Sequence, residues 1–138
     1  MKTLAYTLKG NCVIFVCGTQ PFEDSEWETY ARFLETVLIP GACAVWLVLA
    51  DGAGPTADQR QRLNEVIAPV FNEFRTSVVT SSHLVRGIMT ALGWIHPVYR
   101  AFGPSQLDEA IAHLGIAASD IPEVKQTALD LREAFYKR

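Results

Sequence analysis

No apolar run in this sequence exceeds nine residues, ACAVWLVLA at 42–50, where a membrane-crossing helix needs about 20. The opening residues MKTLAYTLKGN alternate apolar and polar side chains without a continuous hydrophobic stretch. Neither a signal peptide nor an integral membrane segment is therefore expected. Cysteine is scarce as well. Cys12, Cys17 and Cys43 form an odd set with no CxxC spacing, which argues against a disulfide framework and fits small buried thiols in a reducing cytoplasm. His83, His96 and His113 stand singly, so no metal-ligand set is expected. An excess of one charge is also missing. The 12 basic and 15 acidic side chains leave a formal net charge of −3, which provides no footprint for nucleic acid or an anionic membrane.

What the sequence does have is a core. Leu, Ile, Val and Phe make up 40 of the 138 residues, too many for a disordered chain and enough for one domain. The hydrophobic period changes cleanly along it. Leu4, Tyr6 and Leu8 alternate with polar neighbours, Lys9-Gly10-Asn11 supplies a turn, and CVIFVC (12–17) is nearly continuous. This predicts a hairpin whose first strand is half exposed and whose second is buried on both faces. A helix is then expected behind a Ser25/Glu28 capping box, with Trp27, Tyr30, Ala31, Leu34, Val37 and Leu38 on one face and Pro40-Gly41 ending it. The run from Cys43 to Ala50 predicts the central strand.

A second helix begins at a Thr56/Gln59 capping box and buries Leu63, Val66, Ile67, Val70, Phe71 and Phe74, with Pro69 kinking it or ending it early. TSVVT (76–80) reads as a strand, followed by a third helix from Ser81-Ser82 buried through Leu84, Val85, Ile88, Met89, Leu92 and Ile95. A strand at 98–102 leads to a short helix capped by Ser105, packed through Leu107, Ala110, Ile111 and Leu114, and closed by Gly115. A last helix opens at Asp120 and Pro122 with apolar positions 121, 124, 128, 131 and 135. These folds back on the domain or pair with a partner or a second copy. The expected fold is α/β: a mixed, mostly parallel sheet of about five strands, an N-terminal β-hairpin then alternating α and β, covered by four helices plus an extra C-terminal helix. Residues 1–116 would form the domain and 117–138 a helical extension.

Ligands of such sheets gather at the carboxyl ends of the strands. Three loops leave those ends and enter helices, where unpaired N–H groups favour anions. The first holds Thr19 and Gln20, the second Asp51, Gly52, Gly54 and Thr56, and the third Ser81, Ser82 and His83, with Arg86 one turn further on. The bland reading of the same rim is equally concrete. Thr56 and Ser82 are helix caps, the glycines serve turns, and Arg86 is a solvated helical arginine. Residues 52–57, GAGPTA, fit the dinucleotide pattern GxGxxG/A but follow the third strand, and the next strand ends in Thr80-Ser81-Ser82 without the ribose-binding acid that pattern needs. No GxxxxGK[ST] or GxSxG motif occurs, so no cofactor is expected. Asp51 is the one carboxylate of the rim; acid–base chemistry would need it within hydrogen-bond reach of His83 or of one reacting atom.

Three stretches carry a family resemblance: WLVLADGAGPTADQRQRLNE (46–65), SVVTSSHLVRGIMTALGWI (77–95) and YRAFGPSQLDEAIAHLGI (99–116). Across about residues 3–116 the chain resembles a STAS domain, and within that superfamily the SpoIIAA-like branch, related in fold to CRAL-TRIO lipid-binding domains. The resemblance implies a cytoplasmic, non-enzymatic, anti-anti-sigma-factor-like bacterial protein. Its partner would be a regulatory kinase-like or other signalling protein, bound through the rim loops, with a homodimer as a further possibility. In that family a serine or threonine at the start of the helix after the central strand is phosphorylated, which abolishes partner binding. Here DGAGPT stands in place of Asp-Ser-Ser-Gly, leaving Thr56 as the hydroxyl at that position. The alternative the resemblance allows is a small anionic or lipidic ligand, which would require an apolar pocket of several hundred Å³ beside Gly52–Thr56.

Overall fold

The computed structural model describes residues 2–52, 54–70, 73–87 and 98–137. Its strands are β1 (Leu4–Lys9), β2 (Cys12–Cys17), β3 (Val45–Ala50), β4 (Thr76–Thr80) and β5 (Tyr99–Phe102). Its longer helices are α1 (Asp24–Val37), α2 (Ala57–Ile67), α3 (Leu107–His113) and α4 (Ile121–Lys137). The five strands form one sheet in the order β1-β2-β3-β4-β5, with β1 antiparallel to β2 and the other pairs parallel. The α/β class and the mixed sheet are therefore as the sequence period predicts.

The unbroken apolar runs of β2 and β3 follow from burial on both faces. Val13, Phe15 and Cys17, with Trp46 and Ala50, pack into one core layer under α1 and α2. Their neighbours Cys12, Ile14 and Val16, with Val45, Leu47 and Leu49, pack into a second layer under α3 and α4. A strand covered on two sides has no position left for a polar residue, so alternation disappears from its sequence. β1, packed less tightly, keeps its alternation and exposes Leu8. The last helix folds back: Val124, Ala128 and Phe135 are buried in the second layer.

Several local expectations change. Ser25 and Glu28 do not form a capping box. α1 starts two residues earlier at Asp24, its N-cap Glu23 makes no side-chain cap bond, and the Ser25 hydroxyl donates to Glu23. Glu28 is drawn away to Arg62 of α2, with N···O distances of 2.8 and 2.9 Å; a charge-assisted bidentate pair outcompetes a cap bond. Arg62 also contacts Glu35, so one guanidinium ties α1 to α2. Ser105 is not the cap of α3 either. Gln106 holds the N-cap position, and its side-chain oxygen accepts from Gly103 N–H at 2.8 Å.

The Thr56/Gln59 capping box is present in both directions, and α2 ends at Ile67 with a single 3₁₀ turn at Ala68–Val70 around Pro69. Gly115 takes a positive φ of 71° after α3, the C-terminal signature the sequence predicts. Cys43 lies before β3 rather than inside it, exposed and with φ of 56°, so it is not the buried thiol expected. Residues 83–87 are helical, yet Leu84 is 75% exposed and does not join the core. Phe71, Ile88, Met89, Leu92 and Ile95 fall outside the described residues.

Candidate functional site

The register of the parallel strands brings the rim together. Cys17, Ala50 and Thr80 end their strands at one level, Cys17 opposite Ala50 and Ala50 opposite Thr80. The three loops that follow, with Thr19 and Gln20, with Asp51, Gly52, Gly54 and Thr56, and with Ser81 to His83, therefore share one side of the molecule. Asp51 N–H continues the ladder by donating to Cys17 O at 3.3 Å. Thr19, Gln20, Asp51, Gly52, Gly54, Thr56, Ser81 and His83 are exposed, and Ser82 is half-buried.

Most polar groups of the rim are already paired within the chain. Thr56 Oγ1 accepts from Gln59 N–H as the cap of α2. Ser82 caps the helical turn at 83–87, its Oγ accepting from Val85 N–H at 3.2 Å. Thr80, almost fully buried, accepts from Ser82 N–H at 3.1 Å. His83 Nδ1 lies 2.7 Å from Arg86 Nη2. Arg86 is half-buried rather than solvated, its guanidinium lying against Gly103 at the end of β5.

Asp51 has the partner that no local pattern indicates. The Tyr136 hydroxyl, from the last turn of α4, donates to its carboxylate. Phe135 and Tyr136 lie 3.5–3.8 Å from the position a Cβ on Gly18 would take, so the aromatic pair packs against the end of β2. Burial first, and then the bond to the Asp51 carboxylate, push the Tyr136 phenol up to about 12. It stays protonated and a donor across the physiological range. Tyr136 and Arg132 belong to the rim, although neither is next to a strand end in sequence. The signal in the sequence was the apolar spacing of the last helix, which turns the 135–136 end toward the sheet once the helix folds back.

Asp51 and His83 are thus bound to different partners, Tyr136 and Arg86. Between the ends of β3 and β4 and the last turn of α4, the space lined by Asp51, Thr80, Ser81, Pro104, Arg132 and Tyr136 is about 20 Å³. That is room for little more than a single water. Among the described residues no group of three or more His, Cys, Asp or Glu side chains is arranged to hold a metal ion, and no helix is long and apolar enough to cross a membrane. No protein-family model, curated protein or solved structure matches this chain.

Proposed function

We propose that the chain is a STAS-like, non-enzymatic recognition module that binds a regulatory partner protein through the rim formed by the ends of β2, β3 and β4. The observation that carries this reading is the shape of the rim. Among the described residues, the recess between the ends of β3 and β4 and the last turn of α4 holds about 20 Å³, far below the few hundred Å³ that enclose a small organic ligand. A shallow surface with Leu84 75% exposed and Tyr136 51% exposed among polar neighbours suits a macromolecular partner, whose interface centres on apolar and aromatic anchors within a polar border. The three free thiols Cys12, Cys17 and Cys43 fit a reducing cytoplasm.

Thr56 is the position for a phosphate switch within this reading. Its hydroxyl heads α2, where phosphorylation would add close to two negative charges to a surface already carrying Asp51 and Asp58. A partner docked on that border would then meet like charge.

The test is affinity purification of the tagged chain from its native cells, wild type beside Leu84→Glu and Asp51→Asn. A partner recovered with the wild type is expected to be lost from Leu84→Glu while its far-UV spectrum stays unchanged. Equal recovery by all three proteins would overturn the assignment of the rim. A lipid or small anion released stoichiometrically from the wild-type protein would favour the ligand-binding alternative.

A further inference from the structure

β1 lies at the edge of the sheet and among the described residues pairs with β2 alone. Lys9 and Cys12 flank the two-residue turn Gly10-Asn11, where Gly10 has a φ of 60°. A turn of this length makes its flanking residues a hydrogen-bonded pair, and such pairs then alternate along the hairpin. The N–H and C=O groups of Leu4, Tyr6 and Leu8 consequently face outward, away from β2. Natural edge strands are usually guarded by proline, a bulge or an inserted charge. From Leu4 to Leu8 β1 has none of these, and its register with β2 is unbroken. Beside it runs a groove of about 540 Å³ lined by Leu4, Tyr6, Glu26, Thr29 and Leu131 among others. Leu8, further along the strand, is 42% exposed.

We propose that a second copy of this chain adds antiparallel to the β1 edge, about a two-fold axis at Tyr6, and joins the two sheets into one. The sequence of the strand is symmetric about that residue in the way such an interface needs. With Tyr6 opposite Tyr6, Leu4 of each copy faces Leu8 of the other, so all three outward-facing residues of each strand meet outward-facing residues. Three hydrogen-bonded pairs give about six new backbone bonds. Leucine meets leucine and tyrosine meets tyrosine on one face, and Ala5 meets Thr7 on the other.

The same register places Lys9 of one copy opposite Thr3 of the other, whose N–H and hydroxyl are held by the Glu26 carboxylate at 2.9 and 2.8 Å, with Lys2 lining the same groove. Lys9 is now paired at 3.4 Å with Glu123 in a largely exposed contact, which costs little to share or exchange. The uncharged middle and the two-fold symmetry of Leu4, Tyr6 and Leu8 favour self-pairing over addition of an unrelated peptide. This interface uses none of the rim residues and stands whether or not the rim binds a partner.

Sedimentation velocity of the full chain, across a concentration series reaching about 100 μM, should show a reversible dimer. Leu8→Lys places a charge opposite Leu4 of the other copy at an exposed position and should weaken self-association by at least about tenfold. Ile39→Lys, at a comparably exposed leucine-sized site outside β1, should leave it unchanged. Amide exchange read residue by residue should show Leu4, Tyr6 and Leu8 protected in the wild-type dimer and unprotected in Leu8→Lys. A wild-type monomer throughout the series, a dimer indifferent to Leu8→Lys, or a dimer in which those amides exchange freely would each overturn the proposal.

Discussion

The hydroxyl of Tyr136 donates to the carboxylate of Asp51, 85 positions earlier in the chain, and ties the end of the last helix to the carboxyl end of the central strand. Replacing Tyr136 with Phe keeps the ring against Gly18 and Phe135 but removes the donor. Asp51 is exposed and rehydrates, so the loss of stability should stay below about 1 kcal/mol. Backbone exchange over 132–137 should nonetheless rise, read by hydrogen–deuterium exchange. Unchanged exchange would mean that packing alone holds the last turn.

Gln59 should matter more than the residue it caps with. Its side chain accepts from Thr56 N–H and donates to Phe22 O and Asp24 Oδ1, while its backbone carbonyl accepts from Trp27 Nε1. Thr56→Ala removes one cap at a cost of about 1 kcal/mol. Gln59→Ala also leaves the Phe22 carbonyl without its partner in the core, and should cost about 2–3 kcal/mol. Urea unfolding of the two variants gives the order, and the reverse order would contradict this account.

The three thiols should separate by reactivity. Burial pushes Cys12 and Cys17 up to about 12, so neither supplies thiolate in the folded chain. Cys43 is exposed and lines an apolar recess of about 210 Å³ with Leu38, Ile39 and Phe74. A maleimide at neutral pH should add once per folded chain and three times after unfolding, counted by intact mass.

His113 should give the stability a slope in mildly acid solution. Burial, opposed by its contact with Val98 O at 3.1 Å and reinforced by Arg75 and Arg100, holds its imidazole below the ordinary 6.5. The unfolded chain therefore takes up the proton first. Stability from this group is complete above the unfolded value and declines as pH falls toward the folded one. His113→Gln keeps a donor for Val98 O and removes the titration. Its melting temperature should fall less than that of the wild type between about pH 7 and pH 5.5.

The last helix should prove part of the core. Ala128 has no exposed surface, and its layer includes Ile14, Leu47 and Phe102. Ala128→Leu should cost about 1–3 kcal/mol through overpacking. A chain ending at Ile116 would leave that layer covered by α3 alone and should show no cooperative thermal transition. A sharp transition in the shortened chain would show that residues 1–116 fold without the helix.

The alternation of β1, the continuous apolar runs of β2 and β3, the Thr56/Gln59 box and Gly115 were all legible in the sequence. Each reflects an interaction that is local or a burial that marks every second or every successive residue. The same is true of the rim as a place, because parallel strands followed by loops and helices put their carboxyl ends together. What the sequence by itself determined was the class of fold and the location of its polar edge. Only the tertiary structure decided that Glu28 serves Arg62 instead of Ser25, that Leu84 stays outside the core, and that Asp51 is bound by Tyr136. In each case several partners were chemically acceptable, and the distance between elements after the helices dock, which no local period encodes, selected one.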